Sequence, residues 1–222
     1  MRKHHVAAVR LAAILVLATQ GEAMAQQPAD IPDAQAVIRR VLQRNPSLET
    51  FQSRMHVRVH MLNFPWISLH LEGTSYFKRP NAYEVVFDRV PGYASSLKHV
   101  FADIADPVEW QRDWKITCLG LRTVDGAPLL LLQMTKPDSG ARVREQDAFI
   151  DPASFAVARM EWHYTDGGSI TMTQTYKTEG SYVLISSQHA DIQIPHVRAV
   201  ADASYDTYQT NVAVSDSVFQ SH

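Results

Sequence analysis

From residue 54 onward, apolar and polar side chains alternate, and turn-forming residues break the alternation at even intervals. Together these features restrict the chain to antiparallel sheet. Met55, Val57, Val59 and Met61 alternate with Arg54, His56, Arg58 and His60, so each set lies on one side of a half-buried strand. Ile67, Leu69 and Leu71 then oppose Ser68, His70 and Glu72. The small run Gly73-Thr74-Ser75 predicts a bend or bulge before the strand resumes at Tyr76 and Phe77. Pro80-Asn81 predicts a turn into a strand over 83–90.

Further strands are expected over 114–124, 129–135, 143–150, 155–164, 169–177, 182–188 and 197–209. Asp125-Gly126, Asp138-Ser139-Gly140, Asp151-Pro152, Asp166-Gly167-Gly168 and Glu179-Gly180 separate them as turns. About ten strands make a sheet that curls rather than stays flat. One helix precedes them: Ala34, Val37, Ile38, Val41 and Leu42 recur at helical spacing, with Asp33 as N-cap and Pro46 as the stop. Residues 91–113 interrupt the strand rhythm. They carry a possible short helix with Leu97, Val100, Phe101 and Ile104, an insert long enough to plug the sheet or gate what lies beneath it.

The N-terminus reads as an export signal. Arg2, Lys3 and Arg10 precede the short apolar run Leu11–Ala18, and Ala23-Met24-Ala25 offers a small-x-small cleavage site. The run is shorter than the roughly 20 residues that span a bilayer. Cleavage after Ala25 exposes Gln26 rather than a cysteine, which predicts a soluble periplasmic protein with no acyl anchor. Removing Arg2, Lys3, Arg10 and Glu22 takes the formal charge from −2 to −4, so no nucleic-acid partner is expected. A single domain over 26–222 is expected, because no Pro/Gly/Ser-rich linker divides the chain. The lone Cys118, flanked by Ile116 and Leu119, reads as a buried, inert thiol, so the fold must stand on its apolar core.

Reactive constellations are weak. There is no Gly-x-Ser-x-Gly elbow, glycine-rich phosphate loop or dinucleotide fingerprint. Ser95, Ser96 and His99 read as an insert surface, and Glu161 with His163 as exposed alternation. On one strand His56 and His60 lie about 13 Å apart and cannot chelate one ion together; pairing of either with His70 across strands is the remaining option. No catalytic residues, metal or cofactor are predicted.

Three stretches carry a family resemblance. Gly73-Thr74-Ser75-Tyr76-Phe77-Lys78-Arg79-Pro80-Asn81-Ala82-Tyr83 resembles an early hairpin of the outer-membrane lipoprotein carrier (LolA-like) superfamily. Phe149-Ile150-Asp151-Pro152, leading through Arg159-Met160-Glu161 to Asp166-Gly167-Gly168, resembles a later one. The closing Tyr205-Asp206-Thr207-Tyr208-Gln209-Thr210-Asn211, with Asp216 and Phe219, is similar to the end of such proteins.

The resemblance implies a mainly β, α+β fold: a large curved antiparallel sheet forming an unclosed half-barrel, covered on its concave side by the N-terminal helix and the helical insert. It further implies a cavity for acyl chains. In the lipoprotein carrier an early-strand arginine secures the lid helices; Arg54 and Arg58 stand nearby, but neither sits in a motif that carries the role over. The expected lining is Met55, Val57, Val59, Leu69, Leu71, Phe77, Val85, Phe87, Phe101, Met160 and Trp162, and the alternative for each is ordinary core packing. Burying an acyl chain gains about 0.8 kcal/mol per methylene, and flexible methionines suit variable chains.

These features predict a monomeric periplasmic carrier that shelters lipid or lipoprotein acyl chains for transfer between membranes, without catalysis. Donor and acceptor proteins at the inner and outer membranes are the expected partners. The alternative is a sensory or scaffolding domain of the same fold that binds a protein, as anti-sigma regulator relatives do. A second full-length binding domain after Asn211 would have favoured that regulator.

Overall fold

The computed structural model describes residues 31–80, 82–90, 114–136 and 140–220. The expected signal, its cleavage after Ala25, the insert with Phe101, and most of the 138–140 turn lie outside them. Helix α1 (Ala34–Leu42) starts where Asp33 Oδ2 accepts a hydrogen bond from the Ala36 amide at 2.9 Å. It ends at Leu42, four residues before the predicted stop at Pro46. The chain after it is tied down instead: Arg44 and Asn45 both donate to the Val183 carbonyl at 3.0 Å. Val37 and Ile38 are fully buried in the main core, so the apolar stripe of the helix lies on the inner face of the sheet.

The strands are β1 (Thr50–Met61), β2 (Ser68–Lys78), β3 (Ala82–Phe87), β4 (Lys115–Val124), β5 (Ala127–Thr135), β6 (Val143–Ile150), β7 (Val157–Tyr164), β8 (Ser169–Glu179), β9 (Tyr182–Ile194), β10 (Val197–Tyr205) and the short β11 (Gln209–Thr210). They form one antiparallel sheet in the order β3-β2-β1-β10-β9-β8-β7-β6-β5-β4, with β11 pairing to β1. From β4 to β10 the chain is a simple meander, as evenly spaced turns require. Asp125 and Gly126 both take positive φ in the β4–β5 turn, the conformation of a two-residue hairpin.

The sheet does not close. β3 and β4 are its two edges, yet they are consecutive in sequence, so the chain between Val90 and Trp114 joins one edge to the other. The expectation of a mainly β unclosed half-barrel thus holds, with one α-helix among the described residues.

Two details differ from the sequence reading. β2 runs through Gly73-Thr74-Ser75 with unbroken register against β1, from Thr50↔Lys78 to His60↔Ser68. Glycine is required there because a Cβ at Gly73 would stand 2.7 Å from the Val86 carbonyl oxygen of β3, a need for close approach rather than for a bulge. Strand β5 is buried on both faces. Leu130 and Leu132 join the main core, while Leu129 and Leu131 pack with Phe149 in a second cluster on the outer face. The irregularities fall elsewhere, between Cys118 and Leu121, Val143 and Glu145, Phe149 and Ile150, and Thr175 and Tyr176.

Candidate lipid-binding face

Alternation turns one side chain in two toward the inside of the sheet, and the pairing register lines these up across strands. One row runs Leu69, Val59, Ala201, Ala190, Met172, Met160, Ala148, Leu132, Cys118, unbroken through nine strands. A second runs Met61, Ala199, Ile192, Ile170, Trp162, Gln146, Met134, Ile116. The inner face is therefore a continuous apolar surface. Cys118 is a buried, free thiol on it.

Seven of the expected lining residues sit in this surface: Met55, Val57, Val59, Leu69, Leu71, Met160 and Trp162 are each 0–5 % exposed and share the main core with α1. Phe77, Val85 and Phe87 are half-buried at its border on β2 and β3. Phe101 lies outside the described residues. The register also brings in residues the sequence reading did not nominate. After Val197 the inward positions of β10 before Tyr205 are Ala199, Ala201 and Ala203, a low floor between the methionines and valines of β1 and Ile192, Ala190 and Gln188 of β9. Alanine carries little periodic signal, so only the register identifies this floor.

A polar chain crosses the apolar face beside that floor. Tyr205 Oη donates to Gln188 Oε1 at 2.8 Å, and Gln188 Nε2 donates to Gln174 Oε1 at 3.1 Å. Since the Tyr205 proton is used, Tyr83 is the donor across its 3.4 Å contact with Tyr205. Ser75 is wholly buried next to Tyr83, yet its Oγ makes no hydrogen bond of acceptable geometry. The Trp162 indole N–H also has no acceptor. Burial pushes the Tyr83, Tyr205 and Tyr208 phenols up from their ordinary range, so all three stay protonated and neutral at physiological pH. Phe51 gathers this end of the face, stacking on Phe77 at 5.3 Å and meeting Tyr208 edge-on at 5.0 Å.

Over β2, β1, β10 and β9 the outer face is polar. A groove of about 510 Å³ runs over β2, β1, β10 and β9, lined by His56, Arg58, His70, Glu72, His189 and Asp202 among others. Two of the histidines there are matched to carboxylates: His56 Nε2 lies 3.1 Å from Asp206, and His189 Nδ1 lies 2.7 Å from Asp202. Arg54 also belongs to this face, forked onto Asp88 with a further bond to Glu72 at 3.0 Å. Its hydrogen bonds raise its pKa and hold the Asp88 carboxyl down. It braces β1 to β2 and the end of β3.

Metal-type ligands converge at a different place from the one the sequence suggested. Among the described residues, Glu145, Asp147 and His163 on β6 and β7 bring ligand atoms within 4.8 Å of one another. Two carboxylates and an imidazole are a donor set that can hold a divalent transition ion. Glu161 is adjacent, but its Oε1 is held by Arg159 Nε at 2.7 Å.

The architecture is a single large antiparallel sheet, open between β3 and β4, with its apolar inner face under a short N-terminal helix. Solved structures share it. A DUF1329 family protein from Desulfovibrio piger is 11 % identical with a TM-score of 0.63, over 84 % of this chain and 96 % of its own. A putative outer membrane lipoprotein-sorting protein domain from Vibrio parahaemolyticus is 10 % identical with a TM-score of 0.63, over 84 % and 97 %. A LolA superfamily protein from Nitrosomonas europaea is 11 % identical with a TM-score of 0.57, over 85 % and 97 %. No protein-family model and no curated protein matches the sequence. At these identities the likeness establishes the fold.

Proposed function

We propose that this protein is a periplasmic carrier that holds a lipid or lipoprotein acyl chain against the inner face of its half-barrel and releases it to a better site at another membrane. The observation that carries the reading is the run of small residues on the inner face of β10, Ala199, Ala201 and Ala203, continued by Ala190 of β9. In this reading a chain of methylenes lies along this row of small residues, beside the methionines and valines of β1, and each methylene buried contributes about 0.8 kcal/mol. The shared fold with a lipoprotein-sorting protein domain supports the same direction. In this reading residues 1–25 are removed on export, and 26–222 act as one domain. Release needs no catalytic step.

The ten described residues proposed as lining, with Ala199, Ala201 and Ala203, form the wall. A transfer assay tests the reading: fluorescent acyl lipid should move from donor to acceptor vesicles faster with the protein than without it. An unchanged rate would contradict it.

A second reading is favoured by one observation. Val59, Ile170 and Trp162 are 0–1 % exposed, as in a finished core, and a half-barrel filled by its own side chains would serve as a scaffold that binds a protein partner.

A further inference from the structure

The turn between β1 and β2, Leu62-Asn63-Phe64-Pro65-Trp66-Ile67, is apolar at nearly every position and faces solvent. Leu62 is 47 %, Phe64 42 % and Trp66 79 % exposed. Single exposed apolar residues are ordinary, but an aromatic cluster at a projecting tip marks an interaction site. The turn is also braced. The Ile67 amide donates to the Phe64 carbonyl at 2.8 Å, and the Met61 amide to the Ile67 carbonyl at 3.2 Å. The Leu62 amide reaches the Arg198 carbonyl at 2.7 Å, and Asn63 Nδ2 reaches the His196 carbonyl at 2.9 Å. Phe64 and Trp66 meet edge to face at 5.9 Å. The backbone is thus spent on holding the tip, and the rings are left outward.

One cation, Arg198, stands beside it, with Asp191 two positions further along β9 from its partner Gln193. Residues 62–67 and the adjoining β9–β10 turn over 195–198 include no acid, while His196 and Arg198 are exposed. Trp and Phe beside an arginine are the composition of a segment that lies in a lipid headgroup region. A protein partner would need a much broader surface, about 800 Å² on each side, than three side chains on a convex tip provide.

We propose that the β1–β2 turn is a membrane-docking tip, seating Phe64 and Trp66 at the interface of an anionic phospholipid surface while Arg198 and His196 meet its phosphates. The inference gives the carrier reading its loading geometry but rests on separate residues, and it stands or falls independently of what fills the half-barrel. No helix among the described residues is long and apolar enough to cross a membrane.

Co-sedimentation of the purified protein with phosphatidylcholine vesicles, with and without phosphatidylglycerol, tests it. Wild type should bind the anionic vesicles and lose binding as salt rises. Phe64→Ser with Trp66→Ser should weaken partitioning by about tenfold or more with an unchanged melting temperature, since both side chains are exposed. Arg198→Glu should weaken binding to anionic vesicles only. Equal binding by the doubly substituted protein would overturn the proposal. So would a wild type that ignores both vesicles, and a protein partner would then be the occupant of the tip. Native mass spectrometry of the same samples separates this outcome from failure of the carrier reading. Lipid held without vesicle binding sinks the docking tip alone; vesicle binding through the tip by an empty protein sinks the carrier alone.

Discussion

Gly73 on β2 and Val86 on β3 approach so closely that a Cβ added at Gly73 would lie 2.7 Å from the Val86 carbonyl oxygen. The obstruction is backbone, so it cannot swing aside. Gly73→Ala should push the edge strand away and destabilise the protein by about 1–3 kcal/mol, which thermal unfolding will detect as a drop of several degrees. An unchanged melting temperature would mean that β3 is held loosely.

Ala201 tests whether the β10 floor is a trough. Its register neighbours are Val59 and Ala190. If an acyl chain lies over it, Ala201→Phe occupies the site, and lipid copurification falls while the melting temperature of the lipid-free protein changes little. If the face is closed core, overpacking costs about 1–3 kcal/mol, and ligand content is the same before and after.

Asp151 caps the turn before β7, its Oδ1 accepting from the Ser154 amide at 2.7 Å and the Ala153 amide at 2.9 Å. The Ser154 bond is the main reason its carboxyl is held below the usual range. A depressed folded pKa gives stability that is present above the unfolded value and lost as pH falls through the folded one. Asp151→Ala should lower the melting temperature near neutrality, and the gap to wild type should narrow below about pH 4.

Asp147 has the opposite sign. Burial, then Glu145, raises its carboxyl pKa, its side chain is 14 % exposed, and Oδ1 has no hydrogen-bond partner. Its charged form is therefore a cost at neutral pH that acidification relieves, because the folded state binds the proton more tightly than the unfolded chain. Asp147→Asn should raise the melting temperature at pH 7 and lose that advantage in acid. A lower melting temperature at pH 7 would show that the carboxylate is satisfied by a partner in solution.

The strands were legible because Met55, Val57, Val59 and Met61 alternate strictly with polar residues, and the hairpins because Asp125-Gly126 and Asp166-Gly167-Gly168 carry the turn chemistry. Gly73 was misread for a physical reason: a mid-strand glycine signals either a bulge or a close neighbour, and which one holds depends on a strand whose partner residue, Phe87, lies fourteen residues on. The order of the sheet, with β1 beside β10 and the consecutive β3 and β4 at opposite edges, is set by long-range pairing that no local pattern carries. For the candidate face, the large side chains Leu69, Leu71, Met160 and Trp162 were readable from period two. Ala199, Ala201 and Ala203 were not, since a trough is defined by missing volume and hydrophobic periodicity registers only what is present. The polar chain from Tyr83 to Gln174 was equally hidden, because its members lie on four strands.

Native mass spectrometry of the protein purified from a periplasmic extract without detergent tests the central claim most directly. The carrier account predicts a second species heavier by the mass of an acyl lipid, lost when Ala201 is replaced by Phe. A single species at the mass of the bare chain, with wild type and Ala201→Phe alike, would contradict it.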